Sequence, residues 1–247
     1  MNISNLKKSA IYTKLFLILS TFFGITLSLI TAKIDGYTHV FRRILYFTAL
    51  SNIWSGFTAT MILLLKNNYK IRQKLYIMRF YSVVAITMTS LVFCFLLAPF
   101  SDSTYKPWTF CNLLTHVVSP FLALIDFIID NNSFTITNKE VKTSLIPPII
   151  YFSIVAILGL FNFDFGRGVP YPYFFIYLKS PAGLLGFSNQ HPFYVGSAYW
   201  MLLFSLIYFL LAKGYKTLGN LLYNKHQCPF NEKESKYTNW HQHLKVI

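Results

Sequence analysis

The sequence predicts an all-α polytopic membrane protein, a six-helix transmembrane bundle with both termini in the cytoplasm, and three observations support this. The 247 residues are 54% hydrophobic and only 12% charged, about half the charged fraction of a typical soluble domain. Six stretches approach the roughly 20 apolar residues that a helix needs to cross a bilayer. The Lys and Arg residues lie mainly between these stretches, as they do in the loops of membrane proteins.

The predicted spans follow one another along the chain and cover residues 11–32, 44–65, 80–98, 108–129, 144–163 and 195–212. The first span has the basic start of a signal peptide at Lys7 and Lys8. Its apolar run is longer than that of a signal peptide, and the residues before Lys33 form a poor cleavage site, so we expect a retained helix. Pro147 and Pro148 near the start of the fifth span predict a kink or a helix entry.

Two long segments of the chain, residues 164–194 and 213–247, lie outside the predicted spans. Residues 164–194 contain too much proline and glycine for a regular helix. Their aromatic content predicts a loop that lies on the membrane surface or caps the bundle. Residues 213–247 are basic and polar, which predicts a cytoplasmic tail with a short amphipathic segment followed by disorder. With no internal repeat in view, residues 1–212 are expected to form a single six-span domain.

The distribution of positive charge predicts the orientation. The net charge is +14, from 22 Lys and Arg residues against 8 Asp and Glu residues. With the N-terminus inside, 16 of the basic residues fall on the cytoplasmic side. The six on the outer side are Lys33, Arg42, Arg43, Lys106, Arg167 and Lys179. We therefore expect a multi-pass protein of the cell membrane, and the confinement of the charge to loops argues against nucleic acid as a partner.

The cysteines and tail histidines give no indication of a cofactor. Cys94, Cys111 and Cys228 form no CxxC pair, so no zinc site is predicted. Cys94 and Cys111 are expected at similar depth near one membrane face, where either a disulfide or two buried free thiols would fit, and free thiols are the simpler expectation. His241 and His243 are interpreted as part of a solvated tail rather than a metal pair. We expect no metal and no cofactor, and the sequence carries no signal for the oligomeric state.

The second predicted span carries a stripe of polar side chains. Polar groups inside a bilayer are unfavourable and tend to be functional or to join helices. Thr48, Ser51, Asn52 and Ser55 stand at helical spacing and fall on one face. This face predicts the wall of a buried cavity rather than a lipid-facing surface.

The fourth predicted span carries a second stripe, made by Asn112, His116, Ser119 and Asp126. At about 100° per residue these positions fall within a narrow sector of the helix. We expect the two stripes to face each other across the cavity. Asp126 lies about 15 Å further along the helix than His116. It is expected to reach the inner interface, and a proton or ion path is the alternative.

A hydroxyl beside an imidazole can act as a nucleophile with its general base. Thr48 and His116 are therefore the candidate catalytic residues, and a cavity open to lipid would favour an acyl-chain substrate. The candidates for polar support of the pocket are Ser51, Asn52, Asn112, Ser119 and Asp126. The pattern alone favours a structural interpretation, in which the hydroxyls bond to their own helix and the imidazole joins two helices.

Four short motifs suggest a family. They read FTALSN at 47–52, LTHVVSP at 114–120, LID at 124–126 and GVPYPY at 168–173. In this order they resemble the bacterial Pr6Pr family of membrane proteins, which has an FTxxSN span, an HxxxP…D span and a YPYPF-like loop. The resemblance covers about Tyr46 to Phe175 and the six-span layout. That family is distantly similar to the androgen-induced gene 1 and FAR-17a family of eukaryotes.

The resemblance implies an activity. Members of the eukaryotic branch are intramembrane hydrolases that use a threonine nucleophile and a histidine to cleave fatty-acid esters of hydroxy fatty acids. Their threonine matches Thr48 and their histidine matches His116, although the surroundings of His116 match the bacterial branch better. We therefore expect a hydrolase of fatty-acyl esters surrounded by membrane lipids. The alternative is a non-enzymatic membrane protein that binds or carries a lipid or a small solute.

Overall fold

A computed structural model describes the backbone at residues 3–65, 69–99, 106–130 and 134–243, and the side chains at 8–65, 71–99, 106–130 and 134–225. Over these residues the fold is all-α, and six helices are long and apolar enough to cross a membrane, as is typical of a multi-pass membrane protein. These candidate spans are Lys8–Ala32, Phe47–Leu65, Ile71–Leu97, Phe110–Ile129, Asn138–Leu160 and Ser197–Lys225. Their number agrees with the sequence prediction.

The α-helices are numbered in chain order. They are α1 (Ile3–Ala32), α2 (Phe47–Leu65), α3 (Tyr69–Val92), α4 (Phe110–Leu113), α5 (Ser119–Ile129), α6 (Asn138–Thr143), α7 (Ile146–Leu160) and α8 (Ser197–His243). A π-helical turn at Phe93–Leu97 extends α3, and another at Leu114–Val118 joins α4 to α5 within one span. Short 3₁₀ turns occur at Val40–Leu45 and Phe174–Ile176. The prolines of the fifth span stand at the beginning of α7, which confirms a helix entry.

The third span begins earlier than the sequence analysis expects, at Ile71 rather than at residue 80. Arg72, Lys74 and Arg79 were assigned to a cytoplasmic loop, but they lie within α3. Lys and Arg are good helix formers, so their charge does not end a helix. Arg79 is only 5% exposed because carboxylates in the fourth span neutralise it.

The sixth span also extends past its expected end at residue 212. The helix α8 runs without a break from Ser197 to His243, where disorder was expected in the second part of the tail. One reason is packing, since Tyr215 is buried and its ring lies 5.1 Å from that of Phe127. The side chains of Cys228, His241 and His243 lie outside the described residues.

The core lies where α1, α2, α3, α5 and α8 meet. Its largest fully buried apolar side chains are Phe80, Phe93, Phe127 and Phe165. Gly56 of α2 lets this helix approach α1 closely, because a Cβ at that position would clash with the Thr21 hydroxyl. Most of the large hydrophobic side chains that remain exposed belong to the spans, as expected for helices in contact with lipid.

The loop at 164–194 packs against the helices. Apart from the 3₁₀ turn at Phe174–Ile176 it contains turns and extended chain, as its proline and glycine content predicts. Phe175 is buried, with its ring 4.8 Å from that of Phe204 in α8. The loop therefore caps one end of the bundle, which was one of its two predicted placements.

Candidate functional site

A cavity of about 410 Å³ lies beneath the capping loop. Its walls include Thr48 of α2, Phe93 of the first π-helical turn, Asn112 and His116 of the fourth span, and Tyr173 of the loop. Both candidate catalytic residues thus lie on the wall of a single cavity. Of the two predicted polar stripes, Thr48, Asn112 and His116 line this cavity.

The imidazole of His116 is held rigidly at the cavity wall. Its ring stacks on that of Phe93, with 3.9 Å between the centroids and 12° between the planes. The residue is only 7% exposed. Its Nδ1 atom has no hydrogen-bond partner among the described residues. His116 and Phe93 both lie in π-helical turns, which occur frequently at functional sites.

The hydroxyl of Thr48 contacts the capping loop rather than His116. Its Oγ1 lies 3.3 Å from the Tyr173 hydroxyl oxygen, and the Thr48 backbone N–H donates to that same oxygen over 3.3 Å. No hydrogen bond joins Thr48 to His116 in the part of the chain that the structure describes. A proton could pass between them only through a bound water or after a change of side-chain rotamer.

Tyr173 is a site residue that the sequence analysis missed. Burial raises the pKa of its hydroxyl to about 12, so the group stays protonated at neutral pH and can donate a hydrogen bond. The sequence analysis assigned the surrounding YPY segment to the loop and gave it no chemical role. Its place in the GVPYPY motif was the available signal.

Ser51 and Asn52 support the position of Thr48. Ser51 Oγ donates to the Thr48 carbonyl over 3.1 Å and lies 2.9 Å from Thr89 Oγ1. Asn52 Nδ2 donates to the carbonyls of Thr48, over 2.8 Å, and Thr115, over 3.0 Å. Because both N–H groups of this amide are engaged, Asn52 ties α2 to the fourth span and is not available to stabilise an oxyanion in this arrangement.

Three other residues of the predicted stripes have different positions. Asn112 lines the cavity, and its Nδ2 donates to the Pro107 carbonyl over 2.8 Å. Ser119 Oγ lies 2.8 Å from Ser20 Oγ and joins the fourth span to α1. Ser55 Oγ donates to the Ser82 carbonyl over 3.4 Å and joins α2 to α3. Ser55 and Ser119 therefore hold helices together away from the cavity.

Asp126 belongs to a buried ion-pair cluster, so the expectation that it reaches the interface is wrong. Only 2% of it is exposed. Its carboxylate lies 2.8 Å from Lys14 Nζ and 2.8 Å from Arg79 Nε. Asp130 completes the cluster, with its carboxylate 2.6 Å from Lys14 Nζ and 3.2 Å from the Tyr76 hydroxyl. Two cations balance two carboxylates here, which allows the charges to be buried between α1, α3 and α5.

A small apolar pocket of about 40 Å³ lies on the other side of Thr48. Its apolar walls include Phe47, Met88, Val92, Leu145, Pro148, Ile149, Phe152, Phe175 and Phe204. It shares Thr48, Leu97 and Tyr173 with the larger cavity. Thr48 therefore stands at the boundary between a cavity with polar groups and an apolar pocket.

The two remaining predictions from the sequence concern the cysteines and metal binding. Cys94 and Cys111 are free thiols, so the alternative of a disulfide between them is wrong. Cys111 Sγ lies 3.5 Å from the Gly24 carbonyl oxygen. Among the described side chains, no group of three or more His, Cys, Asp or Glu residues could hold a metal ion.

The comparisons with known proteins give no relatives: no family model matches the chain, and neither does any curated protein or solved structure. The likeness to the Pr6Pr family therefore stays a prediction from the motifs.

Proposed function

We propose that this chain is a multi-pass protein of the cell membrane that hydrolyses fatty-acyl esters, with Thr48 as nucleophile and His116 as general base. One observation carries the proposal: Thr48 stands where the cavity that contains His116 meets an apolar pocket. A fatty-acyl ester has the same division, with an alkyl chain next to a polar carbonyl. A chain bound along Phe47 and Phe152 would bring its carbonyl to the Thr48 hydroxyl.

The proposed reaction has two stages. The Thr48 oxygen bonds to the ester carbonyl carbon, and its proton passes to Nδ1 of His116. The bond from that carbon to the alcohol oxygen then breaks, and the alcohol leaves with the proton from His116. In the second stage water attacks the acyl-threonine, again with His116 as base, which releases the fatty acid and restores Thr48.

Two features of the cavity support this chemistry. His116 Nδ1 is buried without a partner among the described residues, so it is available to accept a proton. The protonated hydroxyl of Tyr173 lies 3.3 Å from the Thr48 oxygen and is the candidate donor to the developing oxyanion. Thr48 and His116 make no direct hydrogen bond in the described part of the chain, and such contacts often form only when substrate binds.

Hydrolysis of long-chain acyl esters by the full-length protein in detergent tests the proposal. Thr48→Ala and His116→Ala should each lower kcat/KM by about 100-fold or more, because each removes one partner of the proton transfer. Thr60→Ala is the matched control, since its hydroxyl bonds to the Gly56 carbonyl within α2 and lines neither pocket. Activity that is unchanged in both Thr48→Ala and His116→Ala would rule out the proposal.

We also propose that both termini are cytoplasmic. The support is the distribution of Lys and Arg residues, 16 of which fall on the cytoplasmic side in that orientation. The capping loop and the cavity beneath it would then lie at the outer end of the bundle. The ion-pair cluster of Lys14 and Asp126 would lie at the inner end.

A second candidate function is the non-enzymatic binding or carriage of a lipid or small solute. The hydrogen bond between Thr48 and Tyr173 favours it, because the candidate nucleophile is engaged with the loop instead of its base. The same cavity and pocket would then hold a ligand without cleaving it. Retained lipid binding together with absent hydrolysis would distinguish this function from the first.

A further inference from the structure

A second cavity, of about 540 Å³, adjoins the candidate site. It shares Arg43, Asn112 and Arg167 with the 410 Å³ cavity, and Lys106 also lines it. Among the described residues that line the two cavities, Asp35 is the only carboxylate, and it is already paired with Arg43. The walls therefore carry an excess of positive charge.

Two of these cations lie against the same aromatic ring. The guanidinium carbons of Arg43 and Arg167 lie 5.0 and 5.3 Å from the centroid of the same Tyr37 ring. Neither Arg167 nor Lys106 forms an ion pair with any residue that the structure describes. Because Arg43 is neutralised by Asp35, Arg167 and Lys106 supply the net positive charge of the walls, and this charge favours the binding of an anion.

The backbone has positive φ angles at Arg167 and at the glycines on both sides of it. Gly166, Arg167 and Gly168 have φ angles of 114°, 59° and 73°, and such left-handed geometry is uncommon for an arginine. A Cβ at Gly166 would overlap the Tyr37 ring, so glycine permits the close approach. The Asp164 carboxylate accepts hydrogen bonds from the N–H groups of Gly166, over 2.7 Å, and Gly168, over 3.1 Å. Residues in such conformations cluster at active sites and ligand-binding sites.

We propose that the two cavities bind a single-chain amphiphile that carries a phosphate group. The phosphate would lie between Arg43, Arg167 and Lys106, and the alkyl chain would extend through the 410 Å³ cavity toward Thr48, with only its end reaching the small apolar pocket. A phosphate offers several oxygens to two guanidinium groups and an ammonium group, whereas one guanidinium can satisfy a carboxylate. The proposal requires binding and not cleavage, so it does not rest on the proposed hydrolysis.

Equilibrium binding to the full-length protein in a neutral detergent tests this site. The probe is an ether-linked alkyl lysophosphatidate, which contains no ester, and its partner is the neutral alkylglycerol of the same chain length. The phosphate lipid should bind about tenfold more tightly or better. The difference should shrink as ionic strength rises, because salt screens the charges.

Substitutions separate this site from a general effect of positive charge. Arg167→Gln should remove most of the preference for the phosphate lipid, and Lys106→Gln, at an exposed residue, should reduce it about threefold. Lys33→Gln is the matched control: it removes the same charge from an exposed residue that lines neither cavity, and it should retain the preference. Thermal unfolding of each variant reports whether it is folded. If the Arg167→Gln variant does not fold, the Lys106→Gln variant still tests the site.

Several results would overturn the proposal. Equal affinities for the charged and neutral lipids, or an unchanged preference in both the Arg167→Gln and Lys106→Gln variants, would show that the arginines bind no headgroup. Equally tight binding of a fatty acid of the same length would exclude phosphate as the preferred group. Affinity that is independent of chain length, with inorganic phosphate competing fully, would assign the site to a soluble phosphate and overturn the lipid.

Discussion

Tyr173 predicts a pH dependence of stability. Burial raises the pKa of its hydroxyl to about 12 in the folded protein, against about 10 in an unfolded chain. The stabilisation from keeping this group neutral is complete below pH 10 and is lost as the pH rises through 12. Phenylalanine has no hydroxyl to ionise. Between pH 10 and 12 the melting temperature in detergent should therefore fall less for Tyr173→Phe than for the parent chain. Parallel curves would contradict the assignment.

Asp126 predicts a large effect on stability. Asp126→Asn should lower the free energy of unfolding by about 3 kcal/mol, because it leaves Lys14 and Arg79 with only the partly exposed carboxylate of Asp130. The double variant Lys14→Met, Asp126→Asn removes one charge of each sign and should recover part of the loss. Thermal unfolding in detergent measures both. A melting temperature of Asp126→Asn equal to that of the parent would show that the cluster does not stabilise the fold.

The candidate site could be predicted only in part from the sequence. Thr48 and His116 stand out because polar groups are rare inside apolar spans. The burial of Lys14 and Arg79 could not be predicted, since the sequence does not show that Asp126, 112 positions away from Lys14, neutralises both of them. Tyr173 was missed because its role depends on the folding of the loop onto α2.

The contact between α1 and α2 depends on the absence of a side chain at Gly56. Gly56→Ala should lower the melting temperature, because the new Cβ overlaps the Thr21 hydroxyl. Removing that hydroxyl with Thr21→Ala in the same chain should restore part of the loss. Gly214→Ala is the matched control, since a Cβ there meets nothing within 4 Å among the described atoms. If Gly56→Ala and Gly214→Ala have the same effect, the helices do not touch there.

The helices were predicted more reliably in number than in extent. Six apolar runs identified six candidate spans, because length and hydropathy are local properties. The start of α3 at Tyr69 and the continuation of α8 past residue 212 depend on partners elsewhere in the fold. The π-helical turn at Leu114–Val118 has no local signature either, yet it sets the direction of His116.

The orientation of the whole molecule predicts which loops can be labelled from outside a cell. In a chain with its native cysteines replaced by serine, Lys179→Cys in the capping loop should react with a membrane-impermeant maleimide in intact cells. Lys139→Cys, at an exposed residue of α6 near the opposite end of the bundle, should react only after the cells are permeabilised. Labelling of position 139 in intact cells together with protection of position 179 would reverse the proposed topology.

The two ends of the bundle differ in how their charged side chains are neutralised. One end holds the balanced cluster of Lys14, Arg79, Asp126 and Asp130, which fixes three helices. The other end holds the cavities and the capping loop, where Arg167 and Lys106 have no counterion among the described residues. In the proposed orientation the stabilising ion-pair cluster lies at the inner end, and the proposed ligand-binding cavities lie at the outer end.

The most direct test of the proposed hydrolysis is covalent labelling with a long-chain alkyl fluorophosphonate, followed by intact-mass and peptide mass spectrometry. We expect one adduct per chain, located at Thr48, absent in Thr48→Ala and formed far more slowly in His116→Ala. Labelling that persists at another residue in Thr48→Ala, or no labelling of the folded parent chain, would contradict it.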